Sequence, residues 1–511
     1  MSQYTNLPGV NLNIMDGQMN LTEDNTRNSL LIIAPVLSRA NLEVPGGPVL
    51  VRNQEDLEEN FGGFFYKGEM NPIAAEWSVA RRGGIRNIYL LALEGETEIE
   101  QFVDLQDKLY NVVPDMNIEQ VVLSGMYADQ DIQGLTAAEF GEIDLADVQG
   151  VSARYVHEGT PSGDILDLAE SGTATLTFKK GNQEIATLTV TKSAKVEDLV
   201  EYLNNELLMN NFEVDIEIDY NGERVRVMSS EKITLEGTKI LTVLGLPDVE
   251  STYTGIANPA RLLGDFAEKY SAEAQSLIAY ISVEPVVSTD IGEISKKVDT
   301  LIKRNNNISK HVQVVAGPQV GVSLPNSLRV QWLTGVTQYA ALVNRLPVQT
   351  APTNQPLPQA NQLRYNLSLR QLDRLTGKKY VTFRVKNNQI ILVDGVTSAP
   401  DLFVGQDVVP SDYTRLSTVR IINDVAIKMR DALDAFIGQP NEFPIYNAMN
   451  TAIKGVIKDS ISNGIIQDAK YTIALGKSID ESVVNLTILP QFELRKIDLS
   501  IGLSTPDAFN A

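Results

Sequence analysis

Long apolar runs alternate with helical periodicity in the first part of the chain. Residues 29–36 and 88–93 are nearly continuous apolar runs, which is the pattern of strands buried on both faces of a mostly parallel sheet. Between these runs, the spacing of apolar positions predicts helices at about 53–60 and 71–82. The order strand, helix, helix, strand indicates an α/β architecture.

The same pattern returns after residue 250. Residues 258–282 and 290–316 each contain a helical stretch followed by a short apolar run, so they predict two more helix-then-strand units. We therefore predict one discontinuous α/β domain, formed by residues 26–128 and 251–320.

The interrupting segment, 129–250, has a different pattern and a strong charge. Hairpins at 173–191 and 214–227 flank a predicted helix at about 195–209, which together indicate a self-contained ββαββ unit. The segment contains 24 acidic and nine basic residues. Because such an acidic surface is usually solvated, we predict a mixed α+β domain inserted on the outside of whatever the protein builds.

Residues 321–490 combine helical and strand patterns and predict a C-terminal α+β domain. The predicted elements are a proline-rich strap at 347–358, a helix at about 361–375, paired strands at 379–386 and 389–394, and helices at about 417–437 and 445–463. From residue 321 to the end there are 19 basic and 16 acidic residues. This near-neutral part is a better candidate than the acidic segment for packing against other chains.

Both ends of the chain have a strand pattern with too little apolar surface to fold alone. The alternating apolar residues are Val10, Leu12 and Ile14 near the start, and Ile497, Leu499 and Ile501 near the end. A strand of this kind must pair with an edge in the same chain or in another one. We therefore predict an N-terminal arm over 1–25 and a C-terminal arm over 491–511, and these six residues are the candidates for strand pairing.

The composition removes several classes of chemistry. The 511 residues include no cysteine and two histidines, so thiolate catalysis, a cysteine zinc site and a histidine-based triad have little to draw on. The carboxylate clusters Asp129/Asp131 and Asp215/Glu217/Asp219 lack EF-hand spacing and are interpreted as a solvated acidic face. We predict no catalytic residue, no metal and no cofactor.

The net charge of −22 argues against binding to nucleic acid or to an anionic membrane surface. No apolar run approaches the roughly 18 residues of a spanning helix, and the N-terminal residues lack the pattern of a secretory signal. The expected site of synthesis is a cytoplasm-like compartment.

One pair of basic residues is a candidate contact site. Lys454 and Lys458 are four residues apart beside the apolar stripe of a predicted helix, so their ammonium groups lie on one face. They are either ordinary solvent-exposed lysines or an electrostatic contact to an acidic partner surface.

Several short stretches resemble the sheath subunits of contractile phage tails and related contractile injection machines. These are Leu7-Pro8-Gly9-Val10, Phe61-Gly62-Gly63, Arg82-Gly83-Gly84 with the strand at 88–93, the run from Ile390 to Thr397, the run from Arg415 to Asn423, and Gln439-Pro440-Asn441. Each is weak alone, and their order over about 1–120 and 320–503 carries the resemblance.

The resemblance implies a structural subunit rather than an enzyme. It implies hexameric rings that stack helically around a tail tube, arms that add strands to neighbouring subunits, and a contraction that drives the tube through the host envelope. The implied partners are other copies of the chain, the tail tube protein, and the baseplate and tail terminator proteins. The implied location is the tail sheath of a virion assembled in the host cytoplasm, with Lys454 and Lys458 facing the tube.

Two alternatives stay open at this point. Another self-assembling virion protein, a tube or a capsid subunit, could also be acidic and free of cysteine. A hydrolase using the acidic residues would require a carboxylate pair in a cleft, one member having a raised pKa.

Overall fold

The computed structural model describes residues 29–37, 42–114, 116, 118–140, 145–162, 165–166, 172–191, 193–210, 214, 216–220, 223–229, 231–247, 251–272, 276–325, 327–404, 407–439, 443–475 and 481–495. The α-helices in this part of the chain are α1 (Gln54–Phe61), α2 (Pro72–Arg82), α3 (Glu98–Asn111), α4 (Val196–Asn210), α5 (Thr238–Leu244), α6 (Pro259–Ala272), α7 (Ile291–Lys303), α8 (Val336–Arg345), α9 (Leu369–Gly377), α10 (Leu416–Asp434) and α11 (Phe443–Ser462).

The strands up to residue 257 are β1 (Ser29–Pro35), β2 (Val49–Leu50), β3 (Phe65–Tyr66), β4 (Glu69–Met70), β5 (Asn87–Leu93), β6 (Gln120–Tyr127), β7 (Ile132–Leu135), β8 (Val151–Gly159), β9 (Ile165–Leu166), β10 (Ala174–Lys180), β11 (Gln183–Val190), β12 (Ala194–Lys195), β13 (Ile216–Tyr220), β14 (Val225–Ser229), β15 (Thr234–Glu236) and β16 (Thr252–Ala257). The later strands are β17 (Ile278–Ser282), β18 (Val312–Val315), β19 (Val320–Val322), β20 (Gln331–Leu333), β21 (Gln362–Leu363), β22 (Phe383–Lys386), β23 (Gln389–Leu392), β24 (Leu402–Val404), β25 (Asp407–Val409), β26 (Ile466–Leu475) and β27 (Ser482–Pro490).

A six-stranded sheet of order β18-β17-β6-β1-β5-β2 lies at the centre of the fold. Its first five strands are parallel, and only the short β2 runs antiparallel to its neighbour β5. The sheet takes strands from before and after the acidic segment, so chain regions about 150 residues apart lie side by side. The predicted mixed α/β class is confirmed.

Both faces of this sheet are covered, which explains the continuous apolar run of β1. Leu30 and Ile32 point into a hydrophobic cluster shared with α2 and α8. Leu31 and Ile33 point into a second cluster shared with α3, α6 and α7. A strand buried on both sides cannot show polar alternation. Because α8 begins at residue 336, the first cluster extends past the predicted domain boundary at residue 320, and that boundary stays a prediction.

Local sequence sets the ends of several helices. The Asn53 side chain accepts from the Asp56 N–H at 2.9 Å and starts α1, and Thr97 with Glu100 forms a capping box at α3. The two positions that follow α2, Gly83 and Gly84, each require glycine for a different reason. A Cβ on Gly83 would lie 2.7 Å from the Cβ of Ala341 in α8, and Gly84 has φ of +104°, a conformation that favours glycine.

The acidic segment differs from its predicted organisation. The hairpin β10–β11 is joined by β15 in one sheet, whereas β13 and β14 belong to a second sheet of order β13-β14-β8-β16-β7. The two hairpins share one hydrophobic cluster with α4, but the unit is not the self-contained ββαββ that the hairpin pattern indicated. The reason is that β14 pairs with β8, a strand that local periodicity did not identify.

The C-terminal region contains the predicted elements in their predicted order, but one helix starts later than predicted and several elements, among them α8 and β26, were not predicted. The helix predicted at about 361–375 begins only at Leu369, because Ser368 and Gln371 form a capping box there. The residues Gln362–Leu363 pair with β19 instead. Pairing of β22 with β23 confirms the predicted strand pair, and α10 and α11 confirm the two long helices to within a few residues.

Candidate assembly surfaces

The last two helices and the last hairpin share a hydrophobic cluster of their own. α10 packs against α11, and α11 packs against β26. Ile453 and Ile457 of α11 lie in this cluster together with Ile488 of β27. The hairpin is therefore held on the subunit by one of its faces.

From residue 468 onward, the hairpin β26–β27 alternates between a packed face and an open one. Tyr471 and Ile473 pack against the cluster, whereas Lys470 and Thr472 are exposed. Within the described residues, β26 pairs with β27 and with no other strand. The far edge of β26 therefore has the backbone donors and acceptors that an added strand requires.

The candidate tube-contact residues lie on the open side of α11. Lys454 and Lys458 are exposed, one helical turn apart, whereas Ile453 and Ile457 are buried in the cluster. Neither lysine forms an ion pair with a residue in the described part of the chain. A partner can thus reach both ammonium groups, and the tube contact stays a prediction.

The six candidate strand-addition residues lie outside the described residues. They are Val10, Leu12, Ile14, Ile497, Leu499 and Ile501. Strand addition through them stays a prediction. The base of the C-terminal arm is described as far as Arg495, and it starts with a hydrogen bond from the Gln491 N–H to the Ile465 carbonyl at 3.1 Å.

Charged side chains at this arm base contact the subunit body, in what we call the arm-base network of Asp394, Arg415, Glu493 and Arg495. Arg415 Nη1 and Arg495 Nη2 each donate to Asp394 Oδ2 at 2.7 Å. Glu493 Oε1 lies 3.6 Å from Arg415 Nε and 3.9 Å from Arg495 Nε. The Asp394 side chain is 7% exposed and that of Arg495 is 49% exposed, so the network lies at the edge of the subunit.

The pKa values of the two carboxyl groups in the arm-base network, those of Asp394 and Glu493, are shifted in opposite directions. Burial by itself would raise the pKa of Asp394, but the guanidinium groups of Arg415 and Arg495 lower that pKa below its usual range. Burial raises the pKa of Glu493, and the attraction of Arg415 offsets this only in part. Asp394 is therefore the carboxylate that anchors the two arginines.

A second group of charges, the junction network, connects the acidic segment to the central sheet. Asp131 lies between β6 and β7, and Arg304 directly follows α7. Arg304 Nη2 donates to Asp131 Oδ1 at 2.6 Å. Arg226 of β14 donates to Asp131 Oδ2 at 3.1 Å and to Glu158 Oε2 of β8 at 2.8 Å. One carboxylate thus joins elements from both sides of the insertion point.

The junction network corrects the interpretation of Asp129 and Asp131 as a solvated face. Both side chains are only 11% exposed, and Lys297 Nζ lies 2.7 Å from Asp129 Oδ2. Burial alone would raise the pKa of Asp131, but the paired Arg304 and Arg226 lower it. The tertiary structure brings cations to these carboxylates from segments more than 90 residues away.

A cavity of about 40 Å³ lies beside the junction network. Its charged and aromatic lining residues are Asp129, Asp131, Asp219, Arg226, Arg261, Arg304 and Tyr380. Burial raises the pKa of Asp219, while that of Asp131 is lowered, so one part of the hydrolase pattern is present. However, the cavity has room for a few water molecules at about 10–15 Å³ each, which favours internal hydration over a substrate cleft.

The two histidines are buried in separate places. His157 Nε2 lies 3.1 Å from the Ile233 carbonyl, and His311 Nδ1 lies 3.1 Å from the Leu277 carbonyl. Burial lowers the pKa of both side chains, that of His311 to about 3. Among the described residues, no group of three or more His, Cys, Asp or Glu side chains is arranged to hold a metal ion.

Sequence reasoning missed two parts of these surfaces. The strand β26 was detectable, because Ala469, Tyr471 and Ile473 alternate with Lys470 and Thr472. The arm-base network was not, because Asp394 and Arg495 are 101 residues apart and no local pattern relates them.

Comparison with solved structures identifies the fold. A chain from the baseplate of the anti-feeding prophage, 6-fold symmetrised, has a TM-score of 0.52 and 12% sequence identity, covering 98% of this chain and 100% of that one. The anti-feeding prophage helical sheath in its contracted state has a TM-score of 0.50 and 11% identity, covering 98% and 100%. The PVC sheath complex of an extracellular contractile injection system, also contracted, has a TM-score of 0.50 and 11% identity, covering 98% and 99%.

The chain therefore has the fold of contractile sheath proteins over nearly its whole length, which confirms the resemblance at the level of fold. No protein-family model matches the chain, and no curated protein matches it either. None of the helices in the described part of the chain has both the length and the apolar character needed to cross a membrane.

Proposed function

We propose that this protein is a non-enzymatic subunit of a contractile sheath. Its copies form six-membered rings that stack helically around a tail tube, and contraction of this array drives the tube through a host envelope. The observation that carries the proposal is the extent of the fold match, which spans 98% of this chain and includes two sheaths described as contracted.

The proposed partners are further copies of the chain, a tail tube protein, a baseplate and a tail terminator. The neighbour taken from a 6-fold symmetrised baseplate supports sixfold rings and baseplate attachment. The proposed location is the tail sheath of a particle assembled in a host cytoplasm.

Within the subunit we propose the division predicted from the sequence. The discontinuous α/β domain 26–128 and 251–320 is the body, the acidic segment 129–250 faces outward, and residues 321–490 face the tube. The near-neutral charge of the last part and the exposure of Lys454 and Lys458 support this orientation.

We further propose that the far edge of β26 accepts an arm strand from a neighbouring subunit. A row of backbone hydrogen bonds resists shear along the strand, and the alternating side chains fix the register. Such a joint would keep subunits connected while they slide past one another during contraction.

The first test is negative-stain electron microscopy of the purified chain with and without its tube protein. Striated hollow cylinders are expected from the full-length chain, and loss of cylinders is expected when 1–25 or 496–511 is deleted. If neither preparation of the full-length chain gives cylinders, the sheath function is contradicted.

The second test uses the absence of cysteine in the chain. One preparation has a cysteine in an arm (Leu12→Cys or Leu499→Cys), and the other has one on β26 (Lys470→Cys, Thr472→Cys or Ala474→Cys). After mixing, assembly and mild oxidation, a disulfide-linked dimer is expected for the position on β26 that lies opposite the arm. Lys458→Cys on α11 is the matched exposed control, and equal cross-linking of that control would contradict strand addition at β26.

A further inference from the structure

The base of the C-terminal arm has two faces of different chemistry. Glu493 and Arg495 point toward the subunit body and join the arm-base network. Phe492 and Leu494 point away and are 66% and 81% exposed. This alternation is that of an extended chain, so the polar face is held by the body and the apolar face is left open.

The body has a matching feature at the same place. Arg415 is the N-cap of α10 but makes no side-chain capping bond, and the first turn of α10 contains no acidic residue. A negative charge near a helix N-terminus is stabilising. Glu493 supplies this charge from the arm, and Ser417 in the first turn of α10 lowers the pKa of its carboxyl group.

The position of Asp394 is also fixed independently of the arm. Thr353 from the proline-rich strap donates to Asp394 Oδ1 at 3.0 Å, and the Leu416 N–H donates to the Gly395 carbonyl at 3.1 Å. The strap and the helix α10 thus position Asp394 through contacts that do not involve the arm. A preformed acceptor with a half-exposed arginine from the arm has the properties of a reversible contact.

We propose that Asp394, Arg415, Glu493 and Arg495 form a latch that holds the arm to its own subunit up to Arg495, so that only residues beyond 495 move to a neighbour. This inference rests on the proposed function of the C-terminal arm. The latch sets the point and direction at which the arm leaves the subunit. It also presents Phe492 and Leu494 on the outer face, next to the strand that would join another copy of the chain.

The test measures whether the arm base detaches when the latch is broken. Spin labels are placed on the full-length chain at Leu494→Cys and Val385→Cys, both exposed positions, and the labelled chain is diluted with unlabelled chain. The wild-type background is expected to give one narrow distance distribution by pulsed electron paramagnetic resonance. Arg495→Glu replaces an attraction to Asp394 by a repulsion, so the detached fraction should rise roughly tenfold.

Two further variants separate the latch from a general effect of charge. Arg495→Lys keeps the charge but has a different donor geometry, and it should give an intermediate distribution. Lys386→Glu is a matched charge reversal at an exposed site outside the network, and it should leave the distribution unchanged. An unaltered narrow distribution in Arg495→Glu, with an unchanged melting temperature, overturns the latch.

The same samples distinguish failure of the latch from failure of the proposed function. If deletion of 496–511 abolishes cylinders while Arg495→Glu leaves the arm base in place, the latch is wrong and the arm still acts between subunits. If Arg495→Glu releases the arm base but the deletion leaves cylinders intact, the latch stands and the proposed role of the arm fails.

Discussion

The junction network and the arm-base network both join distant parts of the chain through arginine and aspartate, but they differ in exposure. In the junction network, the side chains of Arg226, Asp131 and Arg304 are 4%, 11% and 14% exposed. In the arm-base network, Arg495 is 49% exposed. A closed network stabilises the subunit, whereas a half-open one adds less to folding and can release its segment more readily.

The largest expected effect is the loss of a cation from the closed network. Arg304→Ala leaves the buried carboxylate of Asp131 with one arginine fewer, and breaking a buried pair costs about 3–5 kcal/mol in the free energy of unfolding. Chemical denaturation of the wild type and the variant measures this difference.

Arg374→Ala is the matched control, since its partner Asp299 lies 2.8 Å away but the two side chains are 40% and 53% exposed. Its cost should be about 0–1 kcal/mol. Equal losses for the two variants would remove the distinction between closed and open networks.

Lowering the pH should destabilise the folded subunit, because His311 is buried in its neutral form. Burial lowers its pKa to about 3, against about 6.5 in the unfolded chain. The unfolded state therefore binds the proton first, so the stabilisation is complete above pH 6.5 and is lost as the pH falls toward 3. Lowering the pH from 7 to 5 should therefore reduce the free energy of unfolding by about 2 kcal/mol through this histidine.

The measurement is the difference between wild type and His311→Gln across that pH range. Glutamine keeps a donor for the Leu277 carbonyl but does not titrate, so the stability of the variant should fall less on acidification. Parallel curves for the two proteins would show that His311 does not control the acid response.

A smaller effect is expected at the half-open network. Arg495→Ala removes a half-exposed arginine 2.7 Å from the buried Asp394 and leaves Arg415 paired with that carboxylate, so the loss should be about 1 kcal/mol in unfolding free energy. Chemical denaturation of Arg495→Ala and Arg304→Ala under the same conditions compares the contributions of the two networks to the free energy of unfolding. A loss as large as that of Arg304→Ala would mean that the arm base belongs to the folded core rather than to a reversible contact.

The smallest effect on folding is expected for the double variant Lys454→Glu/Lys458→Glu. Both side chains are exposed on α11, so the unfolding free energy should change by about 0.5 kcal/mol or less. Binding to the tube protein should weaken and become less sensitive to salt, because an electrostatic contact is screened by ions. Unchanged assembly and contraction would contradict the tube contact.

Much of the fold was predictable because its signals are local. The apolar run of β1, the hairpin β10–β11 and the helices α10 and α11 follow from periodicity over fewer than 25 residues. The predicted start of α9 at about residue 361 was wrong, because the capping box of Ser368 and Gln371 begins the helix at Leu369. Here a specific side-chain bond decided the boundary.

The candidate surfaces were predictable only in part. The exposure of Lys454 and Lys458 follows from helical spacing, whereas the arms, which the strand patterns at both ends of the sequence indicate, stay a prediction. The acceptor edge of β26 depends on which strands pair with it, which is a property of the folded chain. The burial of Asp131 was misjudged because a count of local charge does not contain the arginines that reach it from β14 and α7.

Composition and short-range periodicity were enough to give the class of fold, most of the helices, the absence of cysteine chemistry and the acidity of the inserted segment. The tertiary structure alone decided the order of strands in the central sheet, the two networks of charge and the open edge of β26. These features join residues tens to hundreds of positions apart, and a pairing at that distance is set by packing of the whole chain rather than by any local pattern.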